Sequence, residues 1–216
     1  MTEAHASNKI HSTESFSWAV DVGDVDYLRA AISKGVNPRK EDPSAVLMLA
    51  FRGNEEGLRL LLDNWGADSH EKSLEAAAKN GHAGCVEALI PHCNPEQSRA
   101  LRFAAQEGWP ECVRLLASVG NVREEPTPLF MAAHGGHAEC AELLIPFSDL
   151  LAKDMHGFTA AGQARDRGHA DVAAMIESAI EAQVLASLIP AGEKLAKRRI
   201  DRVADGASSD KRPVAK

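Results

Sequence analysis

One glycine recurs through this chain with a phase that few folds tolerate: Gly23, Gly53, Gly81, Gly108, Gly136 and Gly168, at intervals of 30, 28, 27, 28 and 32 residues. Just before each stands a pair of mostly small residues: Ala19-Val20, Leu49-Ala50, Ala77-Ala78, Ala104-Ala105, Ala132-Ala133 and Ala164-Arg165. Four to nine residues after each comes an apolar stripe at helical spacing, as in Leu58, Leu61 and Leu62, or Cys140, Leu143, Leu144 and Ile145. A period near 30 with this grammar is the signature of an array of small repeated units, each too small to bury its own apolar faces.

The stretch from Pro126 to Pro146 is the best-formed unit. Thr127 is placed to cap a helix that Pro128 opens, and Leu129, Ala132 and Ala133 form its apolar face. Gly135 and Gly136 are expected to stop that helix, a second runs from Glu139 to Ile145, and Pro146 closes it. Six such pairs predict a stack. The first, with Asp21, Asp24, Asp26, Arg29 and Lys34, has the polar surface a terminal unit needs. After the last, an Ala-rich extension from Ala179 offers Leu185, Leu188 and Ile189 to cover the final layer, and Pro190 ends it. The expected organisation is a flexible N-terminus over 1–12, a solenoid with a C-terminal capping helix over 13–190, and a basic flexible tail over 191–216.

Charge and cysteine content narrow the function classes. No run of eighteen apolar residues is present for a membrane span, and the first eighteen residues hold no apolar segment of the secretory kind. Residues 191–216 carry eight Lys or Arg against four Asp or Glu, so the −7 total leaves −11 on residues 1–190. That body repels nucleic acid, while the tail run Lys194, Lys197, Arg198, Arg199 and Arg202 has the charge to contact phosphate but lacks interleaved aromatics. Cys85, Cys112 and Cys140 fall in matching slots of successive units, which predicts buried thiols one layer apart and a reducing, cytoplasmic setting. Cys93 lies outside that pattern and reads as a surface thiol.

Little points to catalysis. His82 with Cys85 and His137 with Cys140 have a spacing that presents two ligands to zinc, yet each cysteine occupies an inward slot equivalent to Leu58 and Val172. A core role outweighs a metal site. Glu124 and Glu125 are neighbours on a connector and face apart, and no phosphate loop or nucleophile elbow occurs. The chain is expected to have no catalytic, cofactor or metal residues.

The segments GHAGCVEALI, GWPECVRLL, GHAECAELLI, TPLFMAAHGGH and HGFTAAGQARDRGHADVAAMI resemble ankyrin repeats, and the resemblance covers roughly residues 14–178. It implies an all-α fold: an ankyrin-like α-solenoid of about six helix-turn-helix repeats. Only Thr127, Pro128 and Leu129 keep the family's opening Thr-Pro-Leu together, and Ser17, Leu47, Glu75, Arg102, Phe130 and Gly162 stand where its His would. Intervals shorter than the family's 33 place the deficit in the β-hairpin fingers, with Ser69–Ser73, Asn94–Ser98 and Asn121–Thr127 as connectors and strands short or absent. His82, His137 and His169 sit where the family uses His to tie the turn; Trp109 replaces it and is expected to pack.

By position in the family, a partner protein would contact Asp21 and Val22, Phe51 and Arg52, Lys79 and Asn80, Gln106 and Glu107, His134 and Gly135, and Asp166 and Arg167 on the concave face. Phe51 is the anchor candidate unless it packs against Trp18, and Trp65 and Trp109 are secondary ones. The function so implied is a monomeric, cytoplasmic, non-enzymatic protein-interaction module without cofactors. The alternatives are a bacterial effector delivered into another cell and nucleic-acid association through the tail.

Overall fold

A computed structural model describes residues 13–65, 70–123, 127–186 and 188. Six helix pairs follow one another. The inner helices are Thr13–Val22, Ala45–Arg52, Glu71–Lys79, Ala100–Glu107, Pro128–Gly135 and Ala160–Asp166. Their outer partners are Val25–Ser33, Glu55–Trp65, Ala83–Leu89, Pro110–Leu116, Ala138–Leu144 and 170–186. Each of the first five inner helices packs on its own outer helix and on the next inner helix, and the outer helices of units one to five likewise pack in sequence. The product is a two-layer solenoid, all-α among the described residues.

Why these segments form this stack follows from side-chain size. The small pairs are fully buried from Ala19-Val20 through Ala132-Ala133, and Ala164 is too, whereas Arg165 is exposed. Small residues let adjacent inner helices approach closely, and leucines from both layers fill the remaining space. Every one of the largest fully buried side chains is Leu or Ile, each worth about 1.5–3 kcal/mol for leaving water. Cys85, Cys112 and Cys140 take the matching inward slot of three consecutive outer helices and are buried free thiols.

The turn within each unit is the same construction. Gly53, for example, ends its helix at φ +74°, a left-handed conformation that a Cβ would strain, and the next N–H, that of Asn54, reaches back to Leu49 O at 2.9–3.0 Å like its counterparts His82 to Ala77 and Trp109 to Ala104. In the fifth unit Gly136 alone makes the stop; Gly135 is the last helical residue. Thr127 caps the fifth inner helix as expected, its Oγ1 accepting from Phe130 N at 3.4 Å.

Connectors account for the uneven intervals. The shortest, of 27 residues, runs through the 3-10 turns Ile90–His92 and Pro95–Gln97. The 30-residue interval has room for a short helix, Pro38–Glu41. Among the described residues only the 32-residue interval holds a vestige of a hairpin, an isolated bridge between Lys153 and Thr159 with Asp154 Oδ1 accepting from the backbone of His156 and Phe158. No strand occurs among the described residues.

Three expectations need correction. Ser73 belongs to the helix Glu71–Lys79 and is buried, so that connector ends sooner. Cys93 is half-buried, its thiol donating to Leu89 O at 3.0 Å; Ser148 does the same to Leu144 O at 2.8 Å one step after the equivalent Ile-Pro turn. It closes the end of the outer helix. Finally, Leu185 and Leu188 are 63% and 60% exposed and do not cover the last layer. Ile189 and the proposed tail over 191–216 lie outside the described residues, as do residues 1–12.

Candidate functional site

The inner-helix face is organised by a contact that local sequence does not display. From the second unit on, the residue after the turn glycine reaches back across the preceding unit's glycine. His82 Nε2 lies 3.1 Å from Phe51 O, His137 Nε2 lies 3.0 Å from Gln106 O, Trp109 Nε1 donates to Lys79 O at 3.0 Å, and Asn54 Nδ2 donates to Gly23 O at 3.2 Å. Each ring lies flat on that glycine: a Cβ on Gly53 would sit 2.5 Å from His82 Nδ1, and one on Gly81 would sit 2.6 Å from the Trp109 indole. Trp109 therefore does the work of the histidines, although it stays 41% exposed.

This contact also bears on the zinc-like spacing of these residues. His82 and His137 are committed to turn carbonyls, while Cys85 and Cys140 point into the core. Burial, reinforced by Glu55 near Cys85 and by Glu139 near Cys140, pushes both thiols up to about 11, far from the thiolate that binds zinc. No group of three or more His, Cys, Asp or Glu able to hold a metal occurs among the described residues.

What the turns leave open is a row of side chains two positions before each glycine: Asp21, Phe51, Lys79, Gln106 and Asp166, all exposed, with His134 completing it. Beside it runs the row one position nearer the glycine, of which Val22, Arg52, Glu107 and Arg167 are exposed. Phe51 is 53% exposed and Trp18 is 56% exposed, so neither is buried by the other and Phe51 is no core residue. Arg52 Nη2 spans the layers to Asp21 Oδ1 at 3.1 Å. Asn80 is half-buried and turns its amide to Ala76 O at 2.8 Å. His134 is also half-buried; burial first, then Arg167 and His169, hold its pKa below the ordinary value. Trp65 is no anchor: it is only 7% exposed and meets His70 edge-on, with 6.1 Å between ring centroids, at the base of an open cavity of about 460 Å³ between the second and third units.

Sequence reasoning missed a third row, three residues before the first and on the same helical face: Trp18, Met48, Ala76, Phe103, Met131 and Gln163. All six are partly or largely exposed. The signal was available, since positions three apart share a face, but five of the six are apolar in the manner of core residues. Around Phe103 three cations gather, with Lys79 Nζ at 5.9 Å, Arg99 Cζ at 5.5 Å and Arg102 Cζ at 5.2 Å from the ring centroid.

Charge is segregated between the layers. The six outer helices carry eleven carboxylates against Arg29, Arg59 and Arg114; the six inner helices carry six against five cations. Arginines on the outer layer lace successive units together through Arg29–Glu56, Arg59–Glu87 and Arg114–Glu139. The negative excess thus lies on the outer helices, and the inner helices are nearly neutral.

A stack of six helix pairs joined by glycine turns, with a row of unforced side chains along its inner face, defines a repeat solenoid. Its last three units match ankyrin repeats. The family model described as Ankyrin repeats (3 copies) matches residues 101–185, and the first three units continue the same construction. The chain is similar to the Ankyrin repeat and KH domain-containing protein mask-1 of Caenorhabditis elegans, 29% identical over 154 residues, which is 64% of this chain and 6% of that protein's length. The chain therefore spans a small fraction of that relative. No helix among the described residues is long and apolar enough to cross a membrane.

Proposed function

We propose that this chain is a non-enzymatic protein-interaction module whose concave face binds another protein. The observation that carries this reading is the pair of aromatic side chains, Trp18 and Phe51, more than half exposed on the same face of neighbouring inner helices. Exposed aromatics on a rigid surface are the residues from which binding energy is most often drawn. The site residues are the two rows two and one positions before each turn glycine, extended by the third row from Trp18 to Met131. A stacked array is organised before a partner arrives, so little ordering entropy opposes association. The same reading makes the chain a monomeric, cytoplasmic scaffold.

Affinity capture from native lysate with the intact chain, compared with a Phe51→Ala, Arg52→Ala variant, tests it. Capture should fall for the variant while helicity is unchanged and the melting temperature stays within a few degrees, because Phe51 is half-exposed and an exposed pair such as Arg52–Asp21 contributes about 0–1 kcal/mol. A melt lowered by ten degrees or so would show that Phe51 is structural, and unchanged capture would move the site off this face.

A further inference from the structure

We propose that residues 193–204 fold back as a helix onto the last outer helix and cover two leucines that the six units leave open. The concave face takes no part in it, and neither does a partner protein. The last outer helix runs over 170–186, and every residue from 181 to 186 is exposed. A helix end open on all sides draws no support from packing, which supplies most of a helix's stability. Yet this end carries Leu185 and Leu188, 63% and 60% exposed, on one face with Glu181 at the spacing i, i+4 and i+7. Apolar side chains that continue past the core gain by being covered.

Charge selects the occupant. Residues 170–188 hold Asp171, Glu177 and Glu181 and no Lys or Arg, a net −3. Two copies of this helix laid together would set like charges against each other, which disfavours a second copy as the cover. Residues 193–204 hold Lys194, Lys197, Arg198, Arg199 and Arg202 against Glu193 and Asp201, a net +3. They also lie only a turn away. Pro190 stops the first helix and Gly192 permits the reversal, within the about two to five residues that a hairpin of helices uses. Distance from the turn then fixes the pairing. Leu195 meets Leu188, Arg198 meets Leu185 and Arg202 meets Glu181, because each pair is equidistant from the middle of Ala191-Gly192 and the three residues on each helix share a face. Arg198 lays its methylene stem on Leu185, and Arg202 pairs with Glu181 as Arg165 does with Glu177. Arg198 and Arg202 are thereby committed to this chain rather than to phosphate.

Amide hydrogen exchange of the full chain, read by mass spectrometry over 181–188 and 193–204, tests the proposal. Both segments should exchange more slowly than an unstructured chain. Leu188→Asp should speed exchange in 193–204 about tenfold or more, and Leu195→Asp should do the same in 181–188. The circular dichroism melt of the array should hold, since Leu188 lies outside the core. Arg202→Glu should speed exchange in both segments about a few-fold, and adding Glu181→Arg should restore the parent rates, which a tail helix that docks nowhere would not do. Exchange at the unstructured rate across 193–204, or protection there that survives Leu188→Asp, would overturn the proposal, as would charge reversals that add rather than cancel. Protection that fades on dilution, with a dimer seen by sedimentation, would give the leucines to a second copy and overturn docking within one chain.

Discussion

Replacing Gly53 by alanine probes the contact on which the array depends. Two costs add. At φ +74° an alanine incurs backbone strain of about 1–2 kcal/mol, and its Cβ would lie 2.5–2.7 Å from three atoms of the His82 ring. The ring must move, which removes the hydrogen bond to Phe51 O, about 1 kcal/mol net, together with its packing on the turn. The sum is about 2–4 kcal/mol, a melting shift of roughly 4–16 °C for a chain this size. Gly168 is the control, with φ +86° and nothing within 4 Å of an added Cβ, so Gly168→Ala should cost the strain alone. Alanine's lowering of unfolded-chain entropy applies to both and cancels in the difference. Urea denaturation of Gly53→Ala, His82→Ala and the double variant completes the test. With the ring gone the alanine should cost only strain, giving a coupling of about 1–2 kcal/mol between positions 53 and 82. Equal costs at Gly53 and Gly168, or additive effects in the cycle, would refute the idea that each unit is held through its neighbour's ring.

Three further outcomes follow from the same structure. Trp109→His should leave stability nearly unchanged, because histidine makes this contact in two other units, whereas Trp109→Ala should lower the urea midpoint by the equivalent of about 1–2 kcal/mol. Under native conditions a thiol reagent should label Cys93 first and slowly, since burial and then Glu71 push its pKa up to about 11; Cys85, Cys112 and Cys140 should react only after denaturant is added. Labelling of all four at one rate would contradict the packing. Burial also raises Cys112 from 9.0 to about 11, with Glu111 and Cys85 adding to the effect, so its contribution is present below pH 9 and lost as the pH rises towards 11. Chemical denaturation across that window should show a shallower alkaline decline for Cys112→Ala than for the parent, a comparison that removes tyrosine and lysine titration.

Much of this architecture was legible in the chain because a repeat writes its rules locally. The turn glycine, the small pair before it and the stripe after it each act within one unit, and their recurrence reveals the stack without any tertiary information. The inward thiols at Cys85, Cys112 and Cys140 were legible for the same reason, as was the cap at Thr127. Cys93 was misread because its partner, Leu89 O, becomes available only once the outer helix ends in a 3-10 turn.

Other features depend on how one unit is rotated against the next, and no local period encodes that. It decides that His82 and Trp109 lie on glycines some thirty residues earlier, that Trp65 is enclosed while Trp18 and Phe51 are open, and that Leu185 and Leu188 remain uncovered. It also brings Lys79 of one unit over Phe103 of the next. The sequence alone thus determined the number of units, their phase and their helical faces, since these follow from residue size and backbone preference. The tertiary structure decided which of the inner-face side chains remain exposed and how their charges group, since exposure and clustering are properties of neighbouring layers.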